Sequence, residues 1–123
     1  MEYRVFISQP MTGRTLDEVK KERQDIETIM HELNDGLSTK GMSVTVIDSF
    51  DEQAFIEGRN PLDCLGDCIK KMSEANIVVF APGWDKSRGC RIEHQCAVEY
   101  QLSTIMLKDT TPHTRSKNND TTT

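Results

Sequence analysis

The stretch Asn76-Ile77-Val78-Val79-Phe80-Ala81-Pro82-Gly83-Trp84-Asp85-Lys86-Ser87-Arg88-Gly89-Cys90-Arg91-Ile92-Glu93-His94 carries the plan of the chain in one passage. Residues 76–80 form a short, apolar, β-branched run of the kind found in a central strand. Pro82 and Gly83 then break the chain, and a helix is expected from about Gly89 to Tyr100. A further apolar run, Ser103 to Leu107, follows that helix and reads as the last strand.

The same alternation extends toward the N-terminus. Tyr3 to Ser8 reads as the first strand, and Gln9 to Arg14 as a loop punctuated by Pro10 and Gly13. Thr15 and Glu18 form a capping box that opens a helix, whose apolar positions Leu16, Val19, Ile26, Ile29, Met30 and Leu33 follow a 3.6-residue period with one polar gap. Asn34-Asp35-Gly36 is expected to end it. The charged run from Lys20 to Glu27 reads as its solvated face. Residues 43–48 form the second strand, a polar stretch with Gly58, Arg59, Asn60 and Pro61 comes next, and a helix over about 62–73 leads into the third strand.

Strands of near-continuous apolar character alternating with helices imply a parallel sheet covered on both faces. The expected fold is α/β, a flavodoxin/Rossmann-like three-layer sandwich with a four-stranded parallel sheet. Ligands of such sheets bind beyond the carboxyl ends of the strands, so the loops at 8–14 and 81–89 are the places to look for chemistry.

Of 123 residues, 36% are apolar and 28% charged, with a formal net charge of −5. No apolar residue falls after Leu107, so residues 1–107 are expected to form one domain and 108–123 a disordered polar tail. An acidic body argues against binding duplex nucleic acid or an anionic membrane, and leaves room for a small anion held by a few donors. The N-terminus lacks a long apolar signal region, and no run approaches the roughly 18 apolar residues of a membrane span. A cytoplasmic protein is expected. Cys64, Cys68, Cys90 and Cys96 are spaced CxxxC and CxxxxxC, which suits small helix residues better than zinc ligands or disulfides. His31, His94 and His113 show no metal-ligand spacing either. No GxGxxG, P-loop or GxSxG motif is present, and neither a metal nor a cofactor is expected.

Ser87, Arg88 and the amides around Gly89 stand where a helix N-terminus meets the ligand edge of the sheet, a ready anion site. Glu93, one turn inside that helix, is placed for nucleophilic attack at a sugar carbon under the shelter of Trp84 and Phe6, or is an ordinary solvated carboxylate. Trp84 either stacks on a base or caps the edge of the core, and Arg14 is within reach of a phosphate. A four-stranded sheet with three main helices leaves apolar surface to cover, so a homodimer or larger homo-oligomer is expected.

Phe6-Ile7-Ser8-Gln9-Pro10-Met11-Thr12-Gly13 and Phe80-Ala81-Pro82-Gly83-Trp84 with Arg88-Gly89-Cys90-Arg91-Ile92-Glu93-His94 resemble the nucleoside 2-deoxyribosyltransferase superfamily, including its 2'-deoxynucleoside 5'-monophosphate N-hydrolase branch. They are most similar to small bacterial and phage proteins of unassigned function placed in that superfamily, over about residues 3–107. The resemblance implies that Glu93 attacks the anomeric carbon, and that Ser87, six residues before it, holds a 5'-phosphate together with Arg88 and Gly89. It also implies that Ser8, Gln9, Met11 and Gly13 line the sugar and phosphate. The tyrosine that commonly bonds the nucleophile is replaced by Phe6, and the aspartate that serves the leaving base aligns with Cys68. Asp67 is the adjacent carboxylate assigned that role, with Asp63 on the same helical face. The implied function is an N-glycosidic bond hydrolase or deoxyribosyltransferase acting on a (deoxy)nucleoside 5'-monophosphate, in a bacterial cell or phage-infected host. Two other readings fit the same residues: a non-catalytic nucleotide-binding module or signalling-nucleotide sponge, and a glycosidase acting on ribonucleotide or ADP-ribose-type ligands.

Overall fold

A computed structural model describes residues 1–108. Four strands, β1 (Glu2–Ser8), β2 (Ser43–Val46), β3 (Ile77–Phe80) and β4 (Ser103–Met106), form one sheet in the order β2-β1-β3-β4. Every pair is parallel, with Val5 opposite Ile77 and Ser8 opposite Phe80 at the centre. The helices are α1 (Leu16–Ser38), α2 (Glu52–Glu57), α3 (Pro61–Met72) and α4 (Arg88–Glu99), with a single 3-10 turn at Trp84–Lys86. The architecture is the expected α/β sandwich of flavodoxin/Rossmann-like type. The expected tail lies, from residue 109 onward, outside the described residues.

The period of two along β1 and β3 divides the core. Val5, Ile7, Val79 and Ala81 pack with Ile26 and Met30 of α1 on one side of the sheet. Phe6, Val78 and Phe80 pack with Met72 of α3 and Ala97 of α4 on the other. Ser8 has the parity of Phe6 and Gln9 that of Ile7, so these neighbours point to opposite layers. That alternation decides what each can touch.

Three elements depart from the sequence expectation. Helix α1 continues past Asn34-Asp35-Gly36 to Ser38. Asn34 does not stop the helix, because its Oδ1 accepts the Val44 amide at 2.8 Å and docks α1 onto β2. The chain turns instead at Gly41, whose φ of +75° suits only glycine. β2 ends at Val46, two residues early, although the Ile47 amide still donates to Val5 at 2.8 Å. The polar stretch before α3 contains the six-residue helix α2, capped by Asp51 at one end and by Gly58 in the left-handed conformation at the other. Six residues are too few for a periodic pattern to reveal.

The charged run of α1 is not all solvated. Val19, Arg23, Ile26 and Met30 are its buried residues, and Arg23 occupies the polar gap in the apolar stripe. All four cysteines are unpaired, with Cys90 buried and the others partly so. Among the described residues, no helix is long and apolar enough to cross a membrane.

Ile7 is 2% exposed in the α1 layer, whereas Leu62 is 75% exposed. Ile7→Ala should therefore lower the unfolding free energy by about 2–5 kcal/mol in urea titrations. Leu62→Ala should leave it within about 0.5 kcal/mol.

Candidate functional site

The order β2-β1-β3-β4 reverses direction between β1 and β3, and the carboxyl ends of these strands form the switch point where such sheets bind ligands. β1 delivers Ser8 there, and the turn after β3 delivers the start of α4. Ser87 is the N-cap of α4, its Oγ accepting the Cys90 amide at 3.4 Å. One turn on, the buried face of α4 presents Cys90, Glu93 and Ala97 to the sheet.

Glu93 is 6% exposed, and Ser8, itself 1% exposed, donates its hydroxyl to Glu93 Oε1 at 2.5 Å. Burial pushes the Glu93 carboxyl up to about 7, against the opposing hydrogen bonds from Ser8 and Cys68 and the charge of Arg23. The Cys68 thiol is driven up to about 11, first by burial and then by the Glu93 carboxylate. Burial likewise raises the Cys90 thiol, against the lowering influence of the Ser8 and Ser87 hydroxyls. Ser8, Glu93, Cys90 and Cys68 are thus neighbours at this end of the sheet, with the Ser8–Glu93 hydrogen bond at their centre.

Around it lies an aromatic shelf. The His94 ring stacks on Trp84 at 4.5 Å and meets Phe80 edge-on at 5.3 Å. Trp84 is half-buried against the Phe80 cluster, so its ring closes the core edge as well as flanking the site.

The other residues singled out in the sequence fall into two groups. Glu93, Ser8 and Ser87 come together, with Gly89 in the first turn of α4 and Arg88 exposed beside it. Gln9 faces the opposite layer: its Nε2 donates to Val19 O at 2.8 Å and Glu22 Oε1 at 3.0 Å, and its Oε1 accepts from Arg23 at 3.3 Å. Met11 is half-buried, and its carbonyl accepts the Arg14 amide at 3.1 Å across a turn that includes Gly13, at φ +79°. Arg14 itself pairs with Glu22 at 2.7 Å. Asp67 is half-exposed and is held by Arg59 at 2.8 Å, as Asp63 is at 2.7 Å. Asp67 is therefore engaged away from Glu93, and its neighbour Cys68 makes the contact.

Arg23 is a participant the sequence did not single out, and Cys68, where the resemblance aligned the leaving-base aspartate, stands near Glu93 in place of the Asp67 carboxylate. Cys68 belongs to the inner face of α3, four residues before buried Met72, a spacing that separates it from Asp67 by about 100° of helix. Arg23 donates to Ser49 Oγ at 2.6 Å and lies 5.7 Å from the Phe50 ring, so it braces the β1 and β2 ends behind the site. Its place at the polar gap of the α1 stripe was the available signal. No group of acidic, histidine or cysteine side chains able to hold a metal occurs among the described residues.

The raised Glu93 carboxyl has a stability consequence. Since the folded state holds this proton more tightly than the unfolded chain, stability is greatest below about pH 4.5 as far as this group is concerned and falls as pH rises through about 7. Glu93→Gln removes that loss. It should be more stable than the parent at pH 8, by up to about 3 kcal/mol, and nearly equal to it at pH 4 in denaturant titrations.

No curated protein and no solved structure matches the chain. One family matches residues 3–106, nearly all of the described fold and both loops of the site. The chain belongs to that family, described as Domain of unknown function (DUF4406).

Proposed function

We propose that the protein is an N-glycosidic bond hydrolase or deoxyribosyltransferase of the nucleoside 2-deoxyribosyltransferase-like superfamily, acting on a (deoxy)nucleoside 5'-monophosphate. The observation that carries this reading is the buried Glu93 carboxyl held by Ser8 at the switch point of the sheet. A carboxylate sheltered from water, with its proton poised at about 7, suits attack on a sugar carbon through an oxocarbenium-like transition state.

In this mechanism an ionised Glu93 oxygen bonds to C1' as the C1'–N bond breaks. The base departs with the bonding electrons and takes a proton from Asp67 or from water. Water then attacks C1' and gives a proton to Asp67 or to a further water as the C1'–Glu93 bond breaks, restoring the carboxylate and releasing the sugar phosphate; in the transferase version a second base attacks and loses its N–H proton by the same route. For Asp67 to serve, it must leave Arg59 and take up a proton first. Ser87, Arg88 and the first-turn amides at Gly89 hold the 5'-phosphate, which the dipole of α4 favours. Ser8, Met11 and Gly13 bound the sugar side, Gln9 fixes their loop to α1, and Trp84 offers an aromatic face to the base. Unpaired cysteines fit a reducing, cytoplasmic setting.

A second reading is favoured by one feature: Glu93 is bonded to Ser8, while Asp67, the carboxylate assigned to the leaving base, is ion-paired with Arg59. On that reading the protein binds its nucleotide without turning it over.

The two separate in a mass-spectrometric assay against a panel of deoxy- and ribonucleoside 5'-monophosphates. Catalysis predicts release of free base, reduced at least about a thousandfold in Glu93→Ala. Because Glu93 must be ionised to attack, kcat/KM should rise with pH and level off above about 7. Ligand recovered intact from both proteins would establish the binder. Release of base by Glu93→Ala at the parent rate would refute the mechanism.

A further inference from the structure

α4 has a second face, turned away from Glu93, and it is built unlike a solvated helix surface. Arg91, Ile92, Gln95, Glu99 and Tyr100 line a shallow hollow of about 320 Å³ there. Their spacing of three and four residues places them in one stripe along the helix. Tyr100 is 80% exposed, and Ile92 and Val98 are also open to solvent. The stripe carries uncharged residues, Ile92, Gln95 and Cys96, along its middle and charges toward its ends.

The charges at those ends are reversed with respect to the helix dipole. Arg88 and Arg91 occupy the first turn, which holds no acidic residue, and Glu99 the last, which holds no basic one. A helix N-terminus favours anions and a C-terminus cations, so each end of α4 carries the sign its own dipole opposes. Among the described residues, Arg91 finds only the Asp85 carbonyl at 3.3 Å. A second α4 running antiparallel corrects both ends at once. Its acidic end comes to the basic end of the first, and a twofold axis at Gln95 repeats the exchange.

We propose that this face of α4 is a twofold interface with a second copy of this chain, the two α4 helices antiparallel about Gln95. Arg91 of each copy pairs with Glu99 of the other, because residues placed equally about the axis lie opposite one another. Ile92 meets Val98 by the same rule, and Tyr100 covers the rim. Such a surface is self-complementary, as an isologous contact requires. The buried face with Cys90, Glu93 and Ala97 stays toward the sheet, so the interface stands independently of the proposed activity.

Sedimentation velocity of the full chain tests this with Arg91→Glu, Glu99→Arg and the double variant. Both positions are exposed, and circular dichroism checks that each variant is folded. The parent should be dimeric, each single reversal should weaken the dimer at least about tenfold, and the double variant should recover it. Tyr100→Ser, which changes no charge, should also weaken it. A parent that stays monomeric at its highest soluble concentration overturns the proposal. So does an oligomer that none of the single variants shifts, or a double variant that fails to recover association.

Discussion

The short hydrogen bond from Ser8 to Glu93 is the constraint around which the rest of the molecule is arranged. A carboxylate this deeply buried is expensive to ionise, and without a donor it would take up a proton and become inert. Ser8 supplies the donor because the pleat of β1 turns residue 8 toward α4, and Phe6 and Phe80 pack the same layer beneath it. The neighbouring Cys68 thiol and the more distant positive charge of Arg23 favour the ionised form as well. Together they hold the carboxyl near neutrality in its titration, where it exists in both forms at physiological pH.

The scaffold behind this pair is built for rigidity on one side and access on the other. Gln9, one residue beyond Ser8, is tied into α1 through Val19, Glu22 and Arg23, so the end of β1 is anchored in both layers. The turn from Ala81 to Ser87 carries Trp84 and the cap of α4, bringing the candidate phosphate donors beside the carboxylate. Burial of the Glu93 carboxyl costs folding free energy once it ionises, so the group at the centre of this site is held at the expense of stability at neutral pH.

The parts of this arrangement differed in how far they could be read from the residues. Strong apolar runs such as Ile77–Phe80 fixed the strand sequence, and the capping box of Thr15 and Glu18 marked the start of α1. The end of α1 was hidden because Asn34 spends its side chain on β2. α2 was too short for periodicity. At the site, Glu93 and Ser87 were legible from their place at a helix start beside the carboxyl edge of the sheet, whereas Arg23 was hidden within a charged run and the thiol of Cys68 gave no chemical reason to prefer it to the carboxylate of Asp67. Arg23 filled a gap in the α1 stripe, and Cys68 lay on the inner face of α3 while Asp67 turned outward to Arg59.

The account stands or falls on whether the Glu93 carboxylate becomes bonded to the sugar. The most direct measurement is intact-protein and peptide mass spectrometry of the full chain, acid-quenched during incubation with the deoxynucleoside 5'-monophosphates. The account predicts a sugar-phosphate adduct that maps to Glu93 and is absent from Glu93→Gln. Base released with no adduct on Glu93, or an adduct mapped to another residue, would contradict it.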